Sequence, residues 1–206
     1  MHLTVLAASG ATGRELTRQA LDRGHTVMAL ARNPERIAVS DSPLLSKVAA
    51  DVRDRASMEA ALEGSHVVLS GLGVPQGDQP GILTLGAHTV IAAEPQRIIW
   101  LGAFGTGASA QAAGWATRKL VTTFLRSELT DKVTADTAIL DAGGTVFHPG
   151  PLTSGALSST RRTVELAAVP RRFLPPRISR ATVAAAMLDE AQTPRYAGST
   201  AVPLER

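Results

Sequence analysis

Short apolar runs alternate along this chain with longer stretches whose apolar residues recur every three or four positions. Residues 3–7 form the first run. Residues 12–22 form the first helical stretch, with Leu16, Ala20 and Leu21 on one face and Gly24 as its stop. Further runs at 25–31, 47–50, 66–69, 97–101 and 145–148 predict strands. Stretches at 82–93, 115–128 and 132–142 predict helices. Asp54 can cap a shorter helix that carries Met58, Ala61 and Leu62 and stops at Gly64. Nearer the C-terminus, 163–168 predicts a short strand and Ser179 caps a last helix with Val183, Met187 and Leu188. Ala201-Val202 predicts a final edge strand.

Strands that alternate with helices imply βαβ crossovers and a mostly parallel sheet with helices on both faces. The near-continuous apolar character of the strands agrees with burial on both sides. No repeat of solenoid period and no long linker divides the chain. Residues 1–206 therefore read as one α/β domain. The Gly/Pro-rich stretch from about 150 to 206 reads as a small elaboration on the substrate side of the sheet.

Composition narrows the chemistry. Hydrophobic residues make up 44% of the 206 positions but aromatics only 3%, so the core must be aliphatic. Cysteine is absent, which excludes disulfide frameworks, thiolate metal sites and thiol nucleophiles. No two-histidine metal spacing occurs, so no metal is expected. The net charge of +3 is spread along the chain rather than gathered into a nucleic-acid footprint. No apolar run reaches the roughly 20 residues of a membrane-spanning helix. The expectation is a soluble cytoplasmic protein acting on a small molecule, as a monomer or homodimer, with no nucleic-acid or membrane partner.

Residues 3–16 run strand, glycine turn, helix, the context that a dinucleotide fingerprint requires. Backbone N–H groups at a helix N-terminus favour a pyrophosphate, which makes Ser9, Gly10, Ala11, Thr12 and Gly13 candidate phosphate-binding residues. Gly10 would let the backbone approach the phosphate, and Gly13 would let the helix pack on the strand. Arg32 ends the second strand, about 20 positions on, where an acid would bind the ribose 2′-OH of NAD. Arg32 and Arg36 suit a 2′-phosphate instead, so the expected cofactor is NADP(H).

This loop resembles the Gly-x-x-Gly-x-x-Gly loop of atypical short-chain dehydrogenase/reductases. The likeness is to the small NAD(P)H-binding group that holds biliverdin reductase B-type flavin reductases and NmrA-like proteins. In that alignment Ala7 stands at the first glycine position and adds a methyl to a tight turn. The resemblance implies a Rossmann-type doubly wound fold. It sets Asp51-Val52 beside the adenine and Gly71, Leu72 and Gly73, in Ser70-Gly71-Leu72-Gly73, beside the ribose. Ile178-Ser179-Arg180 before the last helix is also similar to the family.

The catalytic set of the Tyr-dependent members cannot be assembled. They use a Ser, a Tyr and a Lys four residues after the Tyr. The lone tyrosine, Tyr196, has no lysine at that spacing, and Trp115 precedes Lys119 where the pair would stand. Gly102 and Ala103 occupy the position of the serine. Two candidates remain: Lys132, similar to a basic residue that starts a helix beside the site, and His148, where the family usually has Arg in Arg-Pro-Gly. His2, His25, His66 and His88 read as structural or exposed.

Three functions stay open. One is an NADPH-dependent oxidoreductase that passes hydride to a flavin, quinone or conjugated carbonyl, with Phe104, Trp115 and Phe147 as candidate wall residues. The others are a non-enzymatic NADP(H) sensor and a non-redox biosynthetic enzyme on the same fold.

Overall fold

Inside the sheet lies β1 (His2–Leu6), four of whose five residues are buried. It pairs in parallel with β2 (Thr26–Ala31) on one side and β4 (Val67–Ser70) on the other. β3 (Leu45–Ala49) extends the sheet beyond β2. β5 (Arg97–Leu101) and β6 (Thr145–Phe147) extend it beyond β4. This is a computed structural model, which describes residues 1–74, 81–110, 128–169 and 176–205. Among them the main sheet has eight strands in the order β3-β2-β1-β4-β5-β6-β10-β8. β10 (Thr200–Leu204) joins β6 in parallel, and β8 (Arg162–Glu165) closes that side antiparallel.

Helices cover both faces. α1 (Ala11–Asp22) and α5 (Arg180–Gln192) pack on one, where Leu16 and Ala20 meet Val183, Ala184 and Met187 over Leu3, Val5 and Ala29. α2 (Arg55–Leu62), α3 (Ile82–Ala92) and α4 (Leu129–Asp141) pack on the other, around Leu6, Leu30, Val68 and Trp100. The aliphatic core follows from this spacing. Ala181, Ala184, Ala185, Ala186 and Ala191 are all buried along α5. Small side chains bring it close enough to α1 for Gln19 Nε2 to donate to the carbonyl of Ala181 at 2.9 Å.

Local signals set the helix starts. Asp54 accepts from the Ser57 amide at 3.1 Å, and Ser179 Oγ from the Thr182 amide at 3.0 Å. α3 is capped from outside its own sequence. Asp131, in the first turn of α4, accepts from the amides of Leu83 and Thr84 at 3.1 and 2.8 Å and from the Thr84 hydroxyl at 2.6 Å.

The C-terminal part departs from the sequence reading. Ala201-Val202 is not at the edge: β10 lies between β6 and β8, and β8 is the edge strand. Residues 163–168 divide into β8 and a 3-10 turn, Leu166–Ala168. Two two-residue strands, β7 (Leu152–Thr153) and β9 (Ile178–Ser179), pair beside the main sheet and are too short to show a period. The stretch from 150 onward thus supplies two strands of the main sheet and all of α5. The helix expected at 115–128 lies almost wholly outside the described residues. No helix among them is long and apolar enough to cross a membrane.

Asp131 ties two helices together, and its ionisation matters for folding. Burial works to raise its pKa. Hydrogen bonds from the Thr84 hydroxyl and from the amides of Thr84, Leu83 and Gly81 outweigh that and hold it below the ordinary carboxylate value. A carboxyl lowered on folding stabilises above its unfolded pKa of about 3.9 and loses that contribution as pH falls toward the folded value. Asp131→Asn should destabilise at pH 7 by about 1–2 kcal/mol in urea unfolding, as expected for a lost cap. The variant should also lose stability less steeply than the parent below pH 4. Parallel acid limbs for the two proteins would contradict this role.

Candidate functional site

The carboxyl ends of the parallel strands open onto a cleft of about 940 Å³. It lies where strand order reverses between β1 and β4, the place where open α/β sheets take ligands. Its floor begins with the turn from β1 into α1. Ala7, Ser9, Gly10, Ala11 and Thr12 line it. Gly10 is the N-cap of α1, and no side chain caps that end. α2, α3 and α5, by contrast, all receive a side-chain oxygen. The N-terminus of α1 therefore faces the cleft with a positive dipole end and backbone donors.

Gly13 lies just behind this lining. A Cβ there would collide with the Ala7 carbonyl oxygen and stand 2.8 Å from the Ala8 Cα. No side chain fits, and the close approach fixes how α1 leaves the strand. Ala7 itself sits in the left-handed region at φ 59°. A glycine would adopt that conformation without strain; the alanine methyl adds about 1–2 kcal/mol.

At one end of the cleft, Arg32, Asp51, Val52 and Arg53 line the wall. Asp51 Oδ1 accepts from the Arg53 amide at 3.0 Å, and the Arg53 guanidinium lies 3.9 Å from the same oxygen. Arg36 is not on this wall. It is exposed at the end of a 3-10 turn, Pro34–Arg36, that Asn33 caps by accepting from Glu35. Arg53, unnoticed in the sequence, stands in its place. The signal was available: β3 pairs with β2, so the loops that follow them are neighbours.

Gly71, Leu72 and Gly73 border the middle of the cleft. The other end is walled by Leu101, Gly102, Ala103 and Phe104, by residues 149–152, and by the cations Lys132 and Arg180. Asp51 is the only carboxylate on the lining among the described residues.

Two sequence candidates fall elsewhere. Phe147 is fully buried in the core on the α5 side and does not line the cleft. In a sheet covered on both faces, successive strand residues are all buried, so their direction cannot be read from hydrophobicity. His148 is also buried and turns away from the cleft, bonding to Ser109 at 2.7 Å and Asp136 at 3.0 Å. Trp115 and Lys119 lie outside the described residues. Tyr196 is distant from the lining; its hydroxyl donates to the Thr163 carbonyl at 2.8 Å, and burial pushes its pKa above the ordinary phenol value.

A family model described as NAD(P)H-binding matches residues 7–194. The chain belongs to the NAD(P)H-binding family. Solved structures of this fold align over nearly the whole length. The oxidoreductase ylbE from Lactococcus lactis is 17% identical with a TM-score of 0.80, covering 100% of this chain and 91% of that one. An anaerobillin reductase from Escherichia coli O157:H7 is 18% identical with a TM-score of 0.77, covering 100% and 97%. A short-chain dehydrogenase/reductase from Veillonella parvula is 15% identical with a TM-score of 0.79, covering 99% and 94%. At these identities they show the shared Rossmann fold. Uncharacterized proteins of Mycobacterium tuberculosis and Mycobacterium bovis are 38% identical over 68 residues, which is 33% of this chain and 8% of theirs.

The residues present fit the family's cofactor. The crowded Gly13, the uncapped α1 terminus and the two arginines at one end form a cradle for a phosphate-rich, elongated ligand. Gly13→Ala should destabilise this NAD(P)H-binding domain by about 2–3 kcal/mol through overpacking. Dinucleotide binding should fall with it in calorimetric titration. Ala7→Gly should act oppositely: the strain removed exceeds the extra chain entropy of glycine, for a net gain of about 0.5–1 kcal/mol. A thermal melt rising by about 2 °C is the expected sign, and an unchanged or lower midpoint would refute it.

Proposed function

We propose that the protein is an NADPH-dependent reductase of the atypical short-chain dehydrogenase/reductase type that acts on flat, conjugated acceptors such as a flavin, a quinone or an enone. The observation that carries this reading is the tether of Tyr196 to Thr163, on the far strand pair β10–β8. It removes the one tyrosine from any role beside the cleft. A conjugated acceptor needs no strong acid from the protein, because it can collect its proton from water. When bound, the nicotinamide supplies hydride.

The chain's own residues bind and orient. Ser9, Gly10, Ala11, Thr12 and Gly13 would hold the pyrophosphate, and Asp51 and Val52 would flank the adenosine. Gly71, Leu72 and Gly73 would border the ribose. Arg32 and Arg53 would hold the 2′-phosphate, since a guanidinium fork matches phosphate oxygens. Phe104 gives a ring for a flat acceptor to lie against, and Lys132 and Arg180 give positive charge beside it. Residues 1–206 would act as one cofactor-binding unit, in the cytoplasm, on a small molecule.

Arg32→Ala and Arg53→Ala should each weaken NADPH about ten- to a hundredfold and NADH by less than threefold, the scale of a lost charged hydrogen bond. Arg36→Ala should change neither. Equal losses for both dinucleotides would remove the 2′-phosphate assignment. Turnover is checked by following nicotinamide absorbance with FMN and a quinone panel. NADPH binding without oxidation of any acceptor would favour a sensor instead.

A further inference from the structure

Behind the acceptor end of the cleft, Ser109, Asp136 and His148 form a buried polar cluster with no place in cofactor binding. His148 Nδ1 lies 2.7 Å from Ser109 Oγ, and its Nε2 lies 3.0 Å from Asp136 Oδ2. Ser109 donates its hydroxyl hydrogen to the Thr106 carbonyl at 2.9 Å and accepts from the Gly105 amide at 2.8 Å. The two ring nitrogens bridge the Ser109 hydroxyl and the Asp136 carboxylate. The imidazole thus joins three segments: the turn at 105–109, the end of β6 and the buried face of α4.

That turn carries the cleft wall. Phe104 precedes Gly105, and its amide donates to the carbonyl of Pro149, next to His148. Gly102 lies directly over the pair: a Cβ there would stand 2.7 Å from His148 Cδ2 and 2.9 Å from Asp136 Oδ2.

We propose that His148 is a positioning residue. Through Ser109 it holds segment 102–109, and with it Phe104, in place at the acceptor end of the cleft. The clamp stands on the hydrogen bonds alone; its effect on an acceptor rests on the reductase reading.

The test is a double-mutant cycle with two readouts. His148→Gln keeps a donor near Asp136 and loses the contact with Ser109; Ser109→Ala removes the other partner without stranding a charge. Each should raise the acceptor KM about tenfold, the effect of one broken buried hydrogen bond, and the double variant should add little because both cut the same link. kcat and the NADPH Kd should stay within about twofold. Amide hydrogen exchange in the 103–110 peptide should rise about tenfold in each, with β1 and α1 unchanged. His148→Asn together with Asp136→Asn keeps a hydrogen-bonding amide toward Ser109 and should restore slow exchange and most of the KM. Additive effects, or KM, kcat, Kd and thermal midpoint all declining together, would overturn the proposal. So would unchanged exchange at 103–110. Faster exchange in variants of a parent that reduces no acceptor would leave the clamp standing and sink the reductase reading. If His148→Gln does not fold, Ser109→Ala carries both readouts.

Discussion

The backbone of Gly13 rests against the carbonyl of Ala7, and the rest of the cleft follows from that contact. β1 is the interior strand at which the strand order reverses, so the direction in which the chain leaves it decides where α1 begins. With no Cβ at 13, the helix can start within van der Waals reach of the turn and aim its N-terminus along the strand ends. α1 then fixes α5. Gln19 holds the Ala181 carbonyl, and Arg23 holds that of Ala185 at 3.2 Å. α5 begins at Arg180, which is how a residue far along the chain comes to line the same cleft as Gly10.

The opposite wall rests on a carboxylate. Asp131 spans from α4 to the open end of α3 and so sets Ile82 and Lys132, one from each helix, on the cleft. Two helix ends beside one cavity are therefore treated differently. That of α3 is filled by an internal anion, which leaves it no attraction for a ligand. That of α1 has no side-chain oxygen and keeps its field for whatever enters. The arginines at one end and the cations at the other extend the same polarity along the cleft.

Much of this was legible in the sequence where the physics is local. The boundaries of β1, β2, β5, α1 and α3 follow from periodicity and end signals within a residue or two, and Asp54 and Ser179 cap as their positions suggest. The failures are non-local. β10 reads as an edge strand because nothing in Ala201-Val202 announces that β8 will pair on its outer side. Arg36 is nearer than Arg53 to Arg32 along the chain, but a capped turn carries it off while the β2–β3 pairing brings Arg53 alongside. Asp131 and Asp136 carry no signal of burial in the local sequence. Their burial follows from the packing of the partner helices, which sets Asp136 among Ala135 and Ile139 on the covered face of α4.

The glycine at 102 answers a steric demand of the same kind. Gly102 first reads as a lost catalytic hydroxyl. In the folded chain its α-carbon faces the His148–Asp136 pair, and any side chain would displace the ring or the carboxylate. Gly102 and His148 are therefore one packing solution. Replacing Gly102 by serine would not restore an acid–base group to the cleft, because its Cβ would point into the cluster. At this end of the cleft the shape of the wall is held by hydrogen bonds lying beneath it.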